Sequence, residues 1–276
     1  MRTHEVLIQA GSPERFYWRD LWRNRELLYI LSVRDISVRY KQTALGASWS
    51  LIRPLLTMLV QTFVFSILIK VPTDPGVPYP LMILSGITIW TLFSNAFMQV
   101  SFSITANANL ITKVYFPRLL MPISAIAVSM IDFLITLVLF IGVTIWYKFI
   151  PDWHIIYVPA FMLLALIAAL AFGLFFAALN VRFRDVGQLI PFLMQMGFYV
   201  CPIAYSSSLV AGKRFEKLYI MNPLVGIIDG FRWSLLGGKT HLNPQSLVYS
   251  VAISLVCLIL SVVFFRKREA TFVDDI

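Results

Sequence analysis

With 59% hydrophobic residues and only 13% charged among 276, the chain is no ordinary soluble domain, in which roughly a quarter of residues carry charge. Its formal net charge of +9 would suggest nucleic acid in a soluble protein; here the cations sit at the ends of long apolar runs, and nucleic acid is not an expected partner. Cys201 and Cys257 stand in apolar context and His4, His154 and His241 are scattered, so no disulfide framework and no metal site is expected.

The opening MRTHEVLIQAGSPERF reads as a loose arm without a signal-peptide core, so membrane targeting is expected from the first span. A helix is predicted from Tyr17 to about Leu45. At 100° per residue Trp18, Trp22, Tyr29, Ile36 and Tyr40 share one face, and Arg19, Arg23, Arg34 and Lys41 another. Arg25 intrudes on the aromatic face, and one break somewhere in the helix is allowed. This is the pattern of a helix lying in the headgroup layer. The segment breaks at Leu45-Gly46 and enters the first span through Trp49 and Arg53-Pro54.

Six spans follow, over residues 51–69, 81–102, 119–147, 155–179, 189–205 and 247–265. The third is too long for the hydrocarbon and must tilt, kink or protrude. The fourth carries a small-residue segment, 165–173, suited to close helix packing. The fifth is short and interrupted by Pro191, Gly197 and Pro202. Between the second and third, residues 107–118 are too polar to span and form a short helix before Pro117. The connector 206–245 holds apolar pieces too short to cross, expected as re-entrant or interfacial helices. The fold class is therefore an all-α polytopic membrane protein of six transmembrane helices, with an amphipathic interfacial N-terminal helix and short re-entrant or interfacial helices between spans 5 and 6, which the family resemblance given below implies are periplasmic. Residues 1–50 form the cytoplasmic arm and interfacial helix, 51–265 the transmembrane domain and 266–276 a cytoplasmic tail.

Charge sets the orientation. Of the 23 lysines and arginines, only Lys70 and Lys148 lie in the short connectors on the side away from the termini. Lys213, Arg214, Lys217, Arg232 and Lys239 lie in the long one, and the rest flank the termini side. Both termini are thus expected in the cytoplasm of a multi-pass membrane protein.

No residue pattern points to catalysis in this chain. LLGGKT (Leu235 to Thr240) has the end of a phosphate-binding loop, but Trp233 stands where its first glycine is needed. Asp132 is the one acid within a span, a proton-relay candidate or a structural hydrogen-bonding partner. Trp90, Phe93 and Phe97 share a helix face, and with Phe198 and Tyr199 they are candidate channel-lining aromatics, able to stack on sugar rings. The alternative is packing or an interfacial belt. Arg34, Arg39, Lys41 and Arg53 place four cations at headgroup depth, suited to phosphate, or to snorkelling toward ordinary anionic lipids.

The run from Arg34 to Trp49, Arg-Asp-Ile-x-Val-Arg-Tyr-Lys-Gln-Thr-x-Leu-Gly-x-x-Trp, closely resembles the entrance signature of the membrane subunits of ABC exporters for lipid-linked polysaccharides. These are the O-antigen and teichoic-acid permeases (Wzm-like, TagG-like). Asn109-Leu-Ile-Thr-Lys-Val-Tyr-Phe-Pro-Arg118, Asn180-Val-Arg-Phe-Arg-Asp185, Cys201-Pro-Ile-Ala-Tyr205 and Met221-Asn-Pro-Leu224 are similar to the same family. The resemblance implies a homodimer enclosing a polysaccharide channel, with two separate ABC ATPase subunits that supply ATP and Mg; no cofactor is expected in this chain. It implies that Lys113, Val114, Tyr115, Phe116 and Arg118 couple to the ATPase, and that the cationic entrance collects an undecaprenyl-pyrophosphate-linked glycan among the membrane lipids. Two other classes compete. An ion-coupled secondary transporter needs midplane charges and repeats, of which only Asp132 is evident. A membrane-embedded glycan enzyme needs clustered carboxylates, whereas Asp74, Asp152, Glu216 and Asp229 are scattered over three connectors.

Overall fold

The computed structural model describes residues 17–41, 48–114 and 116–272, and among these residues every regular element is helical. The expected N-terminal arm, the break at Leu45-Gly46 and Tyr115 lie outside the described residues.

The expected entrance helix is two pieces, α1 (Tyr17–Arg23) and α2 (Arg25–Lys41). Asn24 separates them, its side chain donating to the Asp20 carbonyl at 2.8 Å. Trp18, Trp22 and Tyr29 are all exposed, as an aromatic face turned to headgroups requires. The first span is α3 (Ser48–Gln61), continued by a π-helical turn over Thr62–Leu68, so the apolar run Ser48–Leu68 is unbroken but locally widened.

The next helix, α4 (Tyr79–Ala106), is the hub. It is apolar on every side, which marks a helix surrounded by others. Its hydroxyls are satisfied within the helix: Thr88 donates to the Leu84 carbonyl at 2.7 Å and Ser101 to that of Phe97 at 2.7 Å. Small polar residues so satisfied let neighbours approach closely. After a single turn, α5 (Ala108–Ile111), the chain re-enters as α6 (Leu120–Trp146) and returns as α7 (Val158–Arg182), led by a 3-10 turn at Trp153–Tyr157. The small-residue segment of α7 packs closely, as expected. A Cβ on Gly173 would meet Val100 Cγ1 of α4 at 2.5 Å.

The remaining helices are α8 (Val186–Val200), α9 (Glu216–Ile220), α10 (Pro223–Leu235) and α11 (Pro244–Glu269). Among the described residues, five helices are long and apolar enough to cross a membrane. The expected fifth span is shorter than foreseen: α8 stops at Val200, and Cys201 to Tyr205 leave the helix. Between it and the last span, α10 is no loose surface helix. Most of its residues are buried, capped by the Asn222 side chain accepting from Leu224 N–H at 3.0 Å. Close approach explains its two glycines: a Cβ on Gly226 would lie 2.6 Å from the Ser246 carbonyl oxygen of α11.

The first and last helices meet. Tyr17 donates to Glu269 Oε1 at 3.1 Å, and the same oxygen accepts from the Arg118 backbone N–H at 2.8 Å.

Candidate functional site

Three groups of predicted residues can now be placed. At the entrance, Arg39 and Asp132 form an ion pair at 2.5 Å, with the Asp132 side chain 8% exposed. The same carboxylate accepts from Tyr40 at 2.7 Å and from Ser50 at 2.6 Å. Asp132 therefore fastens the end of α2 and the start of α3 to the wall of α6, which is a structural role. Burial and the neighbouring carboxylate push the Tyr40 phenol above its ordinary pKa. Arg34 is also engaged, donating to Asp35 Oδ1 through Nε at 2.9 Å and Nη2 at 2.7 Å, and to Asn107 Oδ1 at 2.7 Å. Asn107 ends α4 and begins the turn of α5, so Arg34 joins α2 to that turn. Arg53 lies over the Trp49 ring at 5.8 Å, and Arg53 and Lys41 are exposed. Two of the four cations thus hold the helix, and two face outward.

In the segment expected to couple to an ATPase, Lys113 and Val114 are exposed. Phe116 is buried, and Arg118 is held by Glu269 and lies over the Phe272 ring at 5.9 Å. The turn presents a short tip and is moored behind it.

The aromatics divide similarly. Trp90, Phe93 and Phe97, expected on a channel wall, are only 5%, 3% and 2% exposed. They form a column on α4, 5.9 and 6.0 Å between successive rings, that continues into Phe176 of α7 and Phe198 of α8. Helical spacing put them on one face, but on a helix buried all round that face points inward. Gly197 brings α8 onto this column; a Cβ there would meet the Trp90 ring at 2.8 Å. On the open side of α8, Phe192 and Tyr199 are exposed.

Sequence reasoning missed the pair at the far end. Asp229 and Arg232, both buried on α10, stand 3.7 Å apart. Arg232 donates to the backbone carbonyls of Pro202 at 2.5 Å, Ile203 at 3.1 Å and Tyr205 at 3.3 Å. These are the carbonyls freed where α8 unwinds, so one guanidinium replaces the helix bonds the prolyl segment cannot make. Burial pushes the Asp229 carboxyl above the ordinary carboxylate range, with Arg232 pulling it back. The i, i+3 spacing of Asp229 and Arg232 was the available signal. Nearby, Ser206 donates to both oxygens of buried Asp74, at 3.2 and 3.1 Å.

The described residues form a helical membrane body with an N-terminal helix pinned to its wall. The ABC-2 type transporter family matches residues 26–236, and the chain belongs to that family. It is 27% identical over 260 residues to the O-antigen export system permease protein RfbA of Myxococcus xanthus, covering 94% of this chain and 98% of that protein. An RfbA of Klebsiella pneumoniae is 28% identical over 250 residues, 90% and 94% of the two chains. The polysialic acid transport protein KpsM of Escherichia coli is 23% identical over 244 residues, 87% and 92%.

Proposed function

We propose that the chain is the membrane-spanning permease subunit of an ATP-driven exporter moving a lipid-linked surface polysaccharide of the O-antigen type. The observation that carries this reading is its end-to-end similarity to export permeases. Two copies enclose the conduit, and two ABC ATPase subunits bind ATP and Mg below it. The passes number six: Val186 follows α7 on the termini side, while Tyr79, at the opposite end of α4, donates to the Ala204 carbonyl at 2.6 Å, so α8 and its extended end carry the chain across. The lysine and arginine bias supports cytoplasmic termini in the inner membrane. Deleting the gene should strand lipid-linked glycan inside the cell, and complementation should restore surface glycan only alongside a hydrolysis-competent ATPase. Surface glycan at normal levels in the deletion strain would exclude the reading.

The exposed tip of the coupling turn seats in the ATPase. Replacing Lys113 with Glu and Val114 with Asp is expected to lower co-purification of the ATPase severalfold, at unchanged melting temperature, because neither side chain is packed inside. Normal complex formation would move the coupling contact elsewhere.

At the entrance, Arg34 and Arg39 position α2, and Lys41 and Arg53 meet the carrier pyrophosphate. The double variant Lys41→Gln, Arg53→Gln should cut export several-fold; two surface cations are worth about 1 kcal/mol each toward an anionic headgroup. The assay is incorporation of labelled sugar into surface glycan. The conduit wall is drawn from the open side of α8, Tyr199 included, with Phe198 and the Trp90, Phe93, Phe97 column bracing it from behind.

A further inference from the structure

The side of the protein facing the leaflet opposite the termini holds a cleft of about 460 Å³ between α3 with its π-turn, the start of α4 and the end of α6. That volume falls within the roughly 300–1,000 Å³ of ligand sites. Met58, Leu59, Phe63, Ile67, Trp146 and Tyr147 line it. From Leu55 to Ile67 one wall is a continuous helical run on which Leu59, Phe63 and Ile67 are exposed.

The second observation is at its mouth. Among the described residues, two that are not glycine have a positive φ, and both are lysines: Lys70 at 57° and Lys148 at 51°. Lys148 follows Tyr147 of the cleft, and Lys70 stands three residues beyond Ile67. Their helices end alike, with Val71 N–H on the Phe65 carbonyl at 2.9 Å and Phe149 N–H on that of Thr144 at 3.1 Å. A left-handed residue closing a helix is ordinarily glycine, because a Cβ is strained there. Lysine at both closures places two exposed ammonium groups, neither in an ion pair with any described residue, where the headgroups begin.

The geometry points to a binding site for one anionic glycerophospholipid of that leaflet: a hydrocarbon chain in the cleft, and its phosphate between Lys70 and Lys148. Ammonium groups are strongly hydrated point charges that meet a phosphate without the planar fork of arginine. The lining offers no cluster of polar groups for sugars, which argues against the exported glycan as occupant. A bound chain would also fill the space beside the widened π-turn, which the protein itself leaves open.

The test measures phospholipid adducts on the purified full-length chain by native mass spectrometry, with phosphatidylglycerol or phosphatidylcholine added to the micelles. Wild-type protein should retain one phosphatidylglycerol in preference to phosphatidylcholine. Lys70→Gln with Lys148→Gln should lower its retention roughly tenfold or more, from about 1 kcal/mol per cation. Leu59→Trp, on an exposed side chain, should lower it comparably by filling the cleft, while the melting temperature of each variant reports intact folding. Loss with the lysine changes alone would mean bulk attraction to headgroups and would overturn the site. Loss with Leu59→Trp alone, equal retention of the two lipids, or retention unchanged in both variants would overturn it as well.

Discussion

Arg232→Met is expected to destabilise the protein by about 3–5 kcal/mol, the usual cost of removing one partner from a buried ion pair. The change strands Asp229 without its counter-ion and takes the donor from three carbonyls of the segment that ends α8. Space sharpens the effect: a Cβ on Gly86 of α4 would lie 2.9 Å from Arg232 Nη2, so guanidinium and hub are already in contact. Restoring apolar character on both sides, with Asp229→Leu added, should recover part of the loss, since the uncharged pair leaves no buried ion behind. The three carbonyls remain unserved, so recovery stays incomplete. Thermal unfolding of the single and double variants in detergent gives the two numbers. A single variant within 1 kcal/mol of wild type would mean that water serves those carbonyls instead.

Removing the acid at the other end should be nearly as costly. Asp132→Ala deletes an acceptor of three hydrogen bonds, from Arg39, Tyr40 and Ser50. At roughly 1 kcal/mol each, tempered by the partial exposure of Arg39, the expected loss is about 2–3 kcal/mol. The more telling readout is local. The α2 helix, unhooked from α6, should exchange its amide protons faster than the buried α4 does. Asp132→Asn keeps an acceptor for Tyr40 or Ser50 and should lie between. If Asp132→Ala abolished export while leaving α2 protection and stability unchanged, the proton-relay role would return.

The helical membrane body was legible because its spans are long and apolar, and the small residues of α7 announced its close packing. The N-terminal helix was legible as a helix, whereas the place of its break, at Asn24, was not. What periodicity could not provide was which way a uniformly apolar helix turns its faces. Trp90, Phe93 and Phe97 were grouped correctly and oriented wrongly, because α4 has neighbours on every side. The same ambiguity hid α10. Its short apolar pieces suggested re-entrant or interfacial helices without saying what they pack on; Gly226 and Gly230 fit it against α11 and α7, where a Cβ would collide. The cations at Arg34 and Arg39 read as ligand-binding because their partners, Asn107 and Asp132, lie far off in sequence. Only Asp35, beside Arg34, was visible from the chain itself.

The Glu269 carboxylate, which gathers Tyr17 and the Arg118 backbone at the foot of the molecule, bears on the order of assembly. Tyr17 and Glu269 stand 252 positions apart, so their contact forms only once α11 has been made, and it ties the two ends of the described fold to Arg118, just ahead of α6.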